Sequence, residues 1–436
     1  MSNHQPDQHA GTYECSGVQG PVLIDIRKIL CGMPPISLEC SIFKVRRPLR
    51  EVNEKAYDPE ILAIGPYHHG NDKYKFMEEQ KLRYLQRLLE RRNKGSIDKC
   101  MLKLRELEKD ARNCYAETID TSQENFLAMM LIDGCFIIEL FRKYDMKELR
   151  DKDDPIDKDD PIMHESGIQT SIGRDLLLLE NQVPLFILST LYDLTKGPDE
   201  HHEFSYVAIK YFNIELGGPI RKPTIDKSQG EHLLHLYHMW RTFDLPETDP
   251  QDCIVVMPSA TELWESGVGF RALQGGKLSD IKFKHGTLEI PVFDVEDDTE
   301  TQFRNLIAYE QYRRSRGINY FTDYVTLLDC LINSSKDVKV LRHAGIIKNY
   351  LGDDEVVAQM FNKIRDHVTV SDSYYSEIFQ KVNAHCAKRT KVWMAKLRRD
   401  YFHSPWAFLS ALAAIVLLLL TIAETAFSIL YYTKQS

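Results

Sequence analysis

The spacing of apolar residues along the chain predicts a mainly helical protein. Apolar residues recur at helical spacing after Lys73, in a stripe that includes Phe76, Leu82 and Leu85. The segment 126–141 is strongly apolar over a length that suits a helix rather than a strand. Repeats at three and four residues are typical of amphipathic helices. We therefore expect helices over both segments.

A third apolar stretch, 174–194, contains Pro184. Proline lacks a backbone N–H and clashes with the preceding turn, so this helix is predicted to kink or split near Gln182. Glu180 and Asn181 stand just before the break. We expect Asn181 and Gln182 to satisfy backbone groups that the break leaves free, with a role in a functional site as the alternative.

The pattern changes between residues 281 and 295, where short β-like pieces flank His285 and Gly286. This predicts a hairpin or small sheet with a turn at these two residues. Pro291 cannot donate to a ladder and is expected to confine its strand to an edge or a bulge. The predicted fold class is mainly α, a large helical domain with a small β insertion.

An acidic run precedes the next predicted helix. Thr299 and Gln302 fit a capping box, which satisfies free N–H groups at a helix start. Acids are also favoured there by the helix dipole. The alternative is that Asp297, Asp298 and Glu300 hold a divalent cation.

The end of the chain predicts a membrane segment. Residues 407–423 carry no charge, and a helix over 407–430 would be about 36 Å long, against a hydrocarbon core of about 30 Å. We predict a transmembrane helix over 405–432, followed by a short tail at 433–436. The residues expected to anchor it are Trp406, Leu417, Leu420, Tyr431 and Tyr432.

Charge is unevenly distributed along the chain. The net charge is −9, but residues 381–404 carry +6 and the rest of the C-terminal end balances, so residues 1–380 carry −15. An acidic body repels phosphate backbones, which argues against nucleic acid as a partner. The basic stretch 381–404 is predicted to be a juxtamembrane stalk. The residues expected to contact lipid headgroups are Lys388, Arg389, Lys391, Lys396, Arg398 and Arg399.

These features predict a single-pass protein inserted after synthesis by a tail anchor. Residues 1–20 lack an apolar core typical of a secretory signal and are expected to form a disordered tail. The positive-inside rule places the body, a helical domain over 21–380 with an acidic loop at 150–165, in the cytosol. The plasma membrane is one candidate location. Glycan at Asn333, in the sequon Asn-Ser-Ser, would instead place the body outside.

Motifs of known enzymes are missing: the chain has no GxSxG, no P-loop, no dinucleotide fingerprint and no HExxH. The adjacent His68 and His69, flanked by glycines, are weak catalytic candidates, with a structural turn as the alternative. His232 and His235 lie at a spacing that could bring two imidazoles to one metal, although a solvated histidine stripe explains them as well. We expect no cofactor and, on balance, no enzyme.

Six sequence blocks, in this order along the chain, are specific enough to indicate a family. They are YDPEILAIGPYHHG (57–70), LLLLENQVPLFIL (176–188), SATELWESGVGF (259–270), GTLEIPVFDVEDDTETQFRNLIAYEQ (286–311), YFTDYVTLLDCLINSSKDV (320–338) and GIIKNYLGDDEVVAQMFNKI (345–364). Together they resemble the plant family catalogued as domain of unknown function 247, and the resemblance covers roughly residues 20–430. It implies a mainly helical plant membrane protein without established catalytic activity, and some grass members are associated with pollen-side self-incompatibility recognition.

The sequence leaves distinct functional hypotheses. The first is a membrane-tethered interaction or recognition module in signalling, with the lipid bilayer and a protein or peptide as partners. The alternative is an enzyme whose site forms where the loop with His68 and His69 meets Glu180 and Asp298. This alternative requires segments distant in sequence to converge on one pocket. A third hypothesis is an organiser of lipid surfaces that uses the basic stretch.

Overall fold

Helices make up most of the residues that the structure describes. The structure, a computed structural model, describes residues 40–91, 96–147, 160–198, 200–216, 230–243, 245, 256–275, 277, 280–313, 318–370, 373–387 and 405–435. Three predicted segments lie wholly or mostly outside these ranges: the tail 1–20, the loop 150–165 before residue 160, and the basic residues 388–399.

The helices and strands are numbered in chain order. The helices are α1 (Arg47–Val52), α2 (Lys75–Arg91), α3 (Ser96–Asn113), α4 (Gln123–Lys147), α5 (Pro161–His164), α6 (Ser166–Asp175), α7 (Leu185–Thr195), α8 (Phe204–Leu216), α9 (Leu233–Thr242), α10 (Ala260–Glu265), α11 (Thr299–Tyr312), α12 (Tyr320–Leu331), α13 (Ser335–His343), α14 (Asp354–Ile364), α15 (Ser376–Cys386) and α16 (Pro405–Gln435). Short 3₁₀ turns cover Glu54–Ala56 and Asp72–Tyr74. The strands are β1 (Gly269–Leu273), β2 (Lys282–Lys284), β3 (Thr287–Pro291), β4 (Phe293–Val295) and β5 (Ile347–Asn349).

Helix α4 forms the centre of the first group of helices. It packs against α2, α3, α7 and α8. Consecutive residues Phe136, Ile137 and Ile138 are all fully buried, which is possible only when neighbours cover a helix on several sides. The helices predicted over 73–90 and 126–141 are therefore confirmed.

The stretch predicted as one broken helix is interrupted before Pro184, but more widely than predicted, because α6 ends at Asp175 and α7 begins only at Leu185. Gln182 donates through Nε2 to the backbone oxygens of Leu176 (2.8 Å) and Leu178 (2.7 Å). Asn181 donates through Nδ2 to two further backbone oxygens. Gln182 thus satisfies main-chain oxygens of the interrupted stretch, and Asn181 satisfies one of this stretch, at Asp175, and one of the segment before the GPYHHG sequence, at Leu62.

The second group of helices surrounds α11, which packs on α12 and α14, while α13 packs on α14. Helix α9 contacts both α8 and α11 and so joins the two groups. Strands β4 and β5 pair in parallel beside this group. Apolar residues of both groups belong to one continuous core.

The start of α11 differs from the predicted capping box. Asp298, not Thr299, precedes the first helical residue. The hydroxyl of Thr299 accepts from the backbone N–H of Glu296 (2.8 Å), and Gln302 donates through Nε2 to Asp298 Oδ2 (2.7 Å). The box prediction is wrong by one position, because the acid and not the threonine occupies the cap.

Strands β2 and β3 form the predicted antiparallel hairpin. His285 and Gly286 make its turn with positive φ angles of 51° and 79°. The edge position predicted from Pro291 is wrong, because β1 pairs in parallel with the other side of β3 and makes it central. Pro291 is tolerated as the last residue of the strand, and the next residue, Val292, donates to the oxygen of Leu273 (3.0 Å).

The predicted transmembrane helix is not supported. Among the helices that the structure describes, none combines the length and the apolar character needed to cross a membrane. This finding contradicts the transmembrane helix at 405–432, and with it the single-pass and tail-anchor predictions.

Candidate functional site

The chain segment that leads into the GPYHHG sequence, residues 60–65, is held by buried side chains rather than by a strand. Asp175 accepts hydrogen bonds of 2.9 Å from the backbone N–H groups of residues 60, 61 and 62. Asn181 Oδ1 and Asp133 Oδ2 accept from the N–H groups of residues 64 (2.6 Å) and 65 (2.8 Å). Because an unpaired buried N–H is costly, these acceptors fix the path of the segment.

A buried charge pair strengthens this support. Lys81 is fully buried and donates through Nζ to Asp133 Oδ1 (2.7 Å), to Glu78 Oε1 (2.6 Å) and to the backbone oxygen of Ala63. Burial alone would lower the pKa of Lys81, but the two carboxylates outweigh it and raise that pKa. Removing either member of such a pair leaves an uncompensated buried charge, which is strongly destabilising.

Gly65 marks the closest approach within this support. Its φ is +70°, and a Cβ placed there would lie 2.4 Å from the backbone oxygen of Gln182. That oxygen also accepts a hydrogen bond from the hydroxyl of Tyr115 (3.0 Å). Only glycine fits this position without displacing the loop.

Beyond Gly65 the chain borders a cleft of about 570 Å³. We call it the Glu180 cleft. Its lining is mostly ionisable, with five acids, three cations and one histidine. The lining residues are Lys44, Val45, Arg47, Arg50, Glu51, Glu54, Asp58, Tyr67, His68, Glu117 and Glu180.

The rim of the cleft consists of partly exposed ion pairs. The pairs are Lys44 with Glu117 (2.7 Å), Arg47 with Glu51 (2.6 Å) and Arg50 with Asp58 (2.6 Å). Exposed pairs of this kind contribute at most about 1 kcal/mol, so a ligand charge can exchange with them at little cost. Glu54 is exposed, and the contacts described for this part of the chain give it no ion pair.

The floor of the cleft is formed by Glu180, whose side chain is only 5% exposed. Its Oε1 accepts from the backbone N–H of Val45 (2.7 Å) and from Arg50 Nη2 (2.8 Å). Its Oε2 faces His68 Nε2 at 3.9 Å. That nitrogen is buried and has no hydrogen-bond partner among the described residues.

The imidazole of His68 is neutral at physiological pH. Burial lowers its pKa from 6.5 to about 4, and Asp58, which acts in the opposite direction, does not compensate. The cations Arg50, Lys44 and Lys73 lower the pKa further. The floor therefore presents a neutral ring next to a carboxylate that Arg50 neutralises in part.

The structure unites only some of the residues that the sequence singled out. His68 and Glu180 meet in the cleft, whereas the neighbouring His69 is exposed and outside the lining. Asp298 stands at the N-cap position of α11, where its side chain accepts from Gln302 and makes no capping hydrogen bond, and Glu300 pairs with Arg304 (2.7 Å). The enzyme hypothesis required these segments to converge. His68 and Glu180 do converge in the cleft, whereas the acidic run 297–300 does not line it.

The histidines of this segment have structural contacts, although His232 Nε2 has no hydrogen-bond partner among the described residues. His232 is buried and caps the helix by accepting from the backbone N–H of His235 (3.2 Å). His238 Nε2 lies 2.8 Å from Glu310 Oε1 in the core. Within the described ranges, no group of three or more His, Cys, Asp or Glu residues is placed to hold a metal ion.

Sequence reasoning did not identify Arg50, Glu54 or Asp58. These residues precede the GPYHHG sequence and belong to no catalytic motif. The one signal in the sequence is that cations and acids are interspersed between residues 44 and 60. This signal indicates a site only once the fold places Glu180 next to that segment.

Comparisons with known proteins agree with the family resemblance. The model of the family DUF247, described as plant protein of unknown function, matches residues 42–420. A UPF0481 protein from Arabidopsis thaliana is 30% identical over 426 residues, which cover 91% of this chain and 87% of that protein. A putative UPF0481 protein from the same plant is 24% identical over 479 residues, with 87% and 88% covered. No solved structure matches this chain. The chain therefore belongs to the DUF247 family of plant proteins of unknown function.

Proposed function

We propose that this protein is a recognition module that binds a basic segment of a peptide or protein partner in the Glu180 cleft. The observation that carries the proposal is the composition of the lining, in which five carboxylates face three cations. Complementary charge favours encounter with a basic ligand and disfavours an acidic one. The net charge of −15 over residues 1–380 acts in the same direction at longer range.

The shape of the cleft supports a polar ligand. Its volume of about 570 Å³ lies within the range of ~300–1,000 Å³ that is usual for ligand sites. Val45 and Tyr67 are its apolar lining residues, so the cleft offers little apolar surface to a hydrophobic small molecule. A basic side chain would instead exchange with the partly exposed ion pairs and contact Glu54.

The support beneath the cleft favours recognition by a fixed surface. The backbone before His68 is held by Asp133, Asp175 and Asn181, all of them buried. A site that is ordered before binding avoids part of the entropic cost of association. This distinguishes the cleft from an exposed loop that must order around its ligand.

The proposal is tested by selection of peptides from a displayed random library on the intact chain. We expect enrichment of peptides with Lys or Arg, and weaker binding at higher salt because exposed charges are screened. Glu54→Lys reverses the charge of the unpaired rim acid and should weaken the selected peptides about tenfold.

Glu79→Lys is the matched control. Glu79 lies on α2 and does not line the cleft, so the same charge change there should leave affinity nearly unaltered. The proposal is overturned if no peptide is enriched, or if both charge reversals weaken binding equally.

A further inference from the structure

The two oxygens of Glu180 differ in their contacts. Oε1 accepts from Val45 and Arg50, whereas Oε2 faces His68 Nε2 at 3.9 Å. A donor and an acceptor at that separation do not form a hydrogen bond. The buried His68 Nε2, which has no partner among the described residues, therefore faces a carboxylate oxygen across a gap at the floor of the cleft.

The gap has the size of one bridging atom. An oxygen placed about 2.8 Å from each of the two atoms, an ordinary hydrogen-bond length, would subtend an angle of roughly 90°. Such an atom would satisfy both His68 Nε2 and Glu180 Oε2 at once. Buried polar groups are normally satisfied in this way, by protein, water or ligand.

The charges around the gap select a neutral group. A cationic ligand group at the floor would be repelled by Arg50, Lys44 and Lys73. These three cations already lower the pKa of the His68 ring. An anion would meet Glu180. A hydroxyl matches both sides, because its hydrogen donates to the carboxylate while its oxygen accepts from a neutral imidazole N–H.

We infer that the gap between His68 and Glu180 is a subsite for a side-chain hydroxyl, that of a Ser or Thr in the bound basic segment. This inference rests on the proposed function and specifies its ligand: a basic residue exchanges with the acids of the rim, and a neighbouring hydroxyl enters the floor. The buried support of residues 60–65 keeps the two bridging partners at their separation before the ligand arrives.

The inference is tested with peptides selected on the wild-type chain and their serine-to-alanine versions. Removing a hydroxyl that bonds to a charged group costs roughly 1.5–3 kcal/mol, so alanine should weaken binding at least about tenfold. With His68→Leu the two peptides should bind almost equally. His68→Gln retains an N–H near the position of Nε2 and should restore much of the difference.

His69→Leu is the matched control, since this adjacent imidazole lies outside the lining. It should preserve the full preference for the hydroxyl. Thermal unfolding shows whether each variant is folded. If His68→Leu is unfolded, the preference of His68→Gln for the hydroxyl peptide is used instead, and its loss would overturn the inference.

The outcomes separate the two proposals. If no basic peptide is selected, the proposed function fails. If basic peptides bind but their alanine versions bind equally well to the wild type, the hydroxyl subsite is overturned, and a water would account for the gap. The proposed function would still stand.

Discussion

The protein contains two pairs of histidine and glutamate that differ in completeness. In the core, His238 Nε2 lies 2.8 Å from Glu310 Oε1. Glu310 also accepts from the backbone N–H of Phe321 (3.0 Å) and from both the N–H (2.8 Å) and the hydroxyl (2.7 Å) of Thr322. In the cleft, His68 and Glu180 are 3.9 Å apart, and His68 Nε2 lacks a hydrogen-bond partner among the described residues.

The difference shows which pair has a structural role and which is available to a ligand. The core pair joins α9, α11 and α12, and both oxygens of Glu310 accept hydrogen bonds there. The pair in the cleft is held on one side only, through Arg50 and Val45. A complete pair stabilises the fold, whereas an incomplete pair retains hydrogen-bonding capacity for a ligand.

The largest expected effect comes from breaking the complete pair. Glu310→Ala leaves His238 and two backbone N–H groups without an acceptor in the core. Each buried donor that is left without an acceptor costs about 1–3 kcal/mol, and here several are left at once. Urea unfolding should show this loss in the free energy of unfolding. A change below about 1 kcal/mol would mean that the pair is not the structural one.

A smaller effect is expected at the support of the incomplete pair. Gly65→Ala forces a Cβ against the oxygen of Gln182 and should lower the free energy of unfolding by about 1–3 kcal/mol. It should also weaken peptide binding, because the shifted loop carries His68. Gly70→Ala is the control: its φ is +79°, but nothing lies within 4 Å of the added Cβ. Equal binding losses in the two variants would contradict the role of the support.

The pH dependence of stability distinguishes neutral buried imidazoles from ordinary ones. The unfolded chain binds protons at His68 and His232 near pH 6.5, whereas burial lowers the folded pKa values to about 4 and about 3. At a pH between the folded and unfolded pKa values, the unfolded state binds more protons than the folded state. The contribution of these two groups to the free energy of unfolding is therefore complete above pH 6.5 and is lost as the pH falls toward the folded pKa values.

Unfolding curves of the wild type and of His68→Gln between pH 7 and pH 4 measure how much His68 contributes to the loss of unfolding free energy at low pH. The variant should lose less stability over this interval than the wild type, since one imidazole with a lowered folded pKa is removed. Parallel curves would show that the ring is protonated normally in the folded protein.

The smallest effect is expected at the rim. Arg47 and Glu51 are 88% and 54% exposed, and Arg47→Gln should change the free energy of unfolding by less than about 0.5 kcal/mol. Basic peptides should bind slightly more tightly, because one cation leaves the lining. Weaker binding of a Lys- or Arg-containing peptide to this variant would argue against recognition by charge.

Much of the fold follows from local sequence. The periodic segments after Lys73 and over 126–141 predicted helices that the structure has. The stretch around Pro184 was predicted less well, because α6 already ends at Asp175, too far before Pro184 for the lost N–H alone to explain it. Strand β1 was missed, because it pairs in parallel with β3 and no turn joins the two. Without that partner, Pro291 looked like the residue of an edge strand.

The candidate site was only half predictable. His68 and Glu180 were recognised as polar residues in unusual settings, but their meeting depends on the path of residues 60–65. That path follows three side-chain acceptors from two distant segments. Arg50, Glu54 and Asp58 carry no motif and become part of a site only through this path. The membrane prediction relied on the apolar composition of residues 407–430. It was wrong, because none of the described helices is long and apolar enough to cross a membrane.

The most direct test of the contrast between the two pairs uses both imidazoles as reporters in one experiment. Nitrogen spectra of the histidine side chains are recorded while a selected basic peptide is added to the full chain. We expect the signal of His68 Nε2 to shift in proportion to binding, while that of His238 Nε2, sealed against Glu310, stays in place. Saturation of binding without any change at His68 would contradict a ligand site at the incomplete pair.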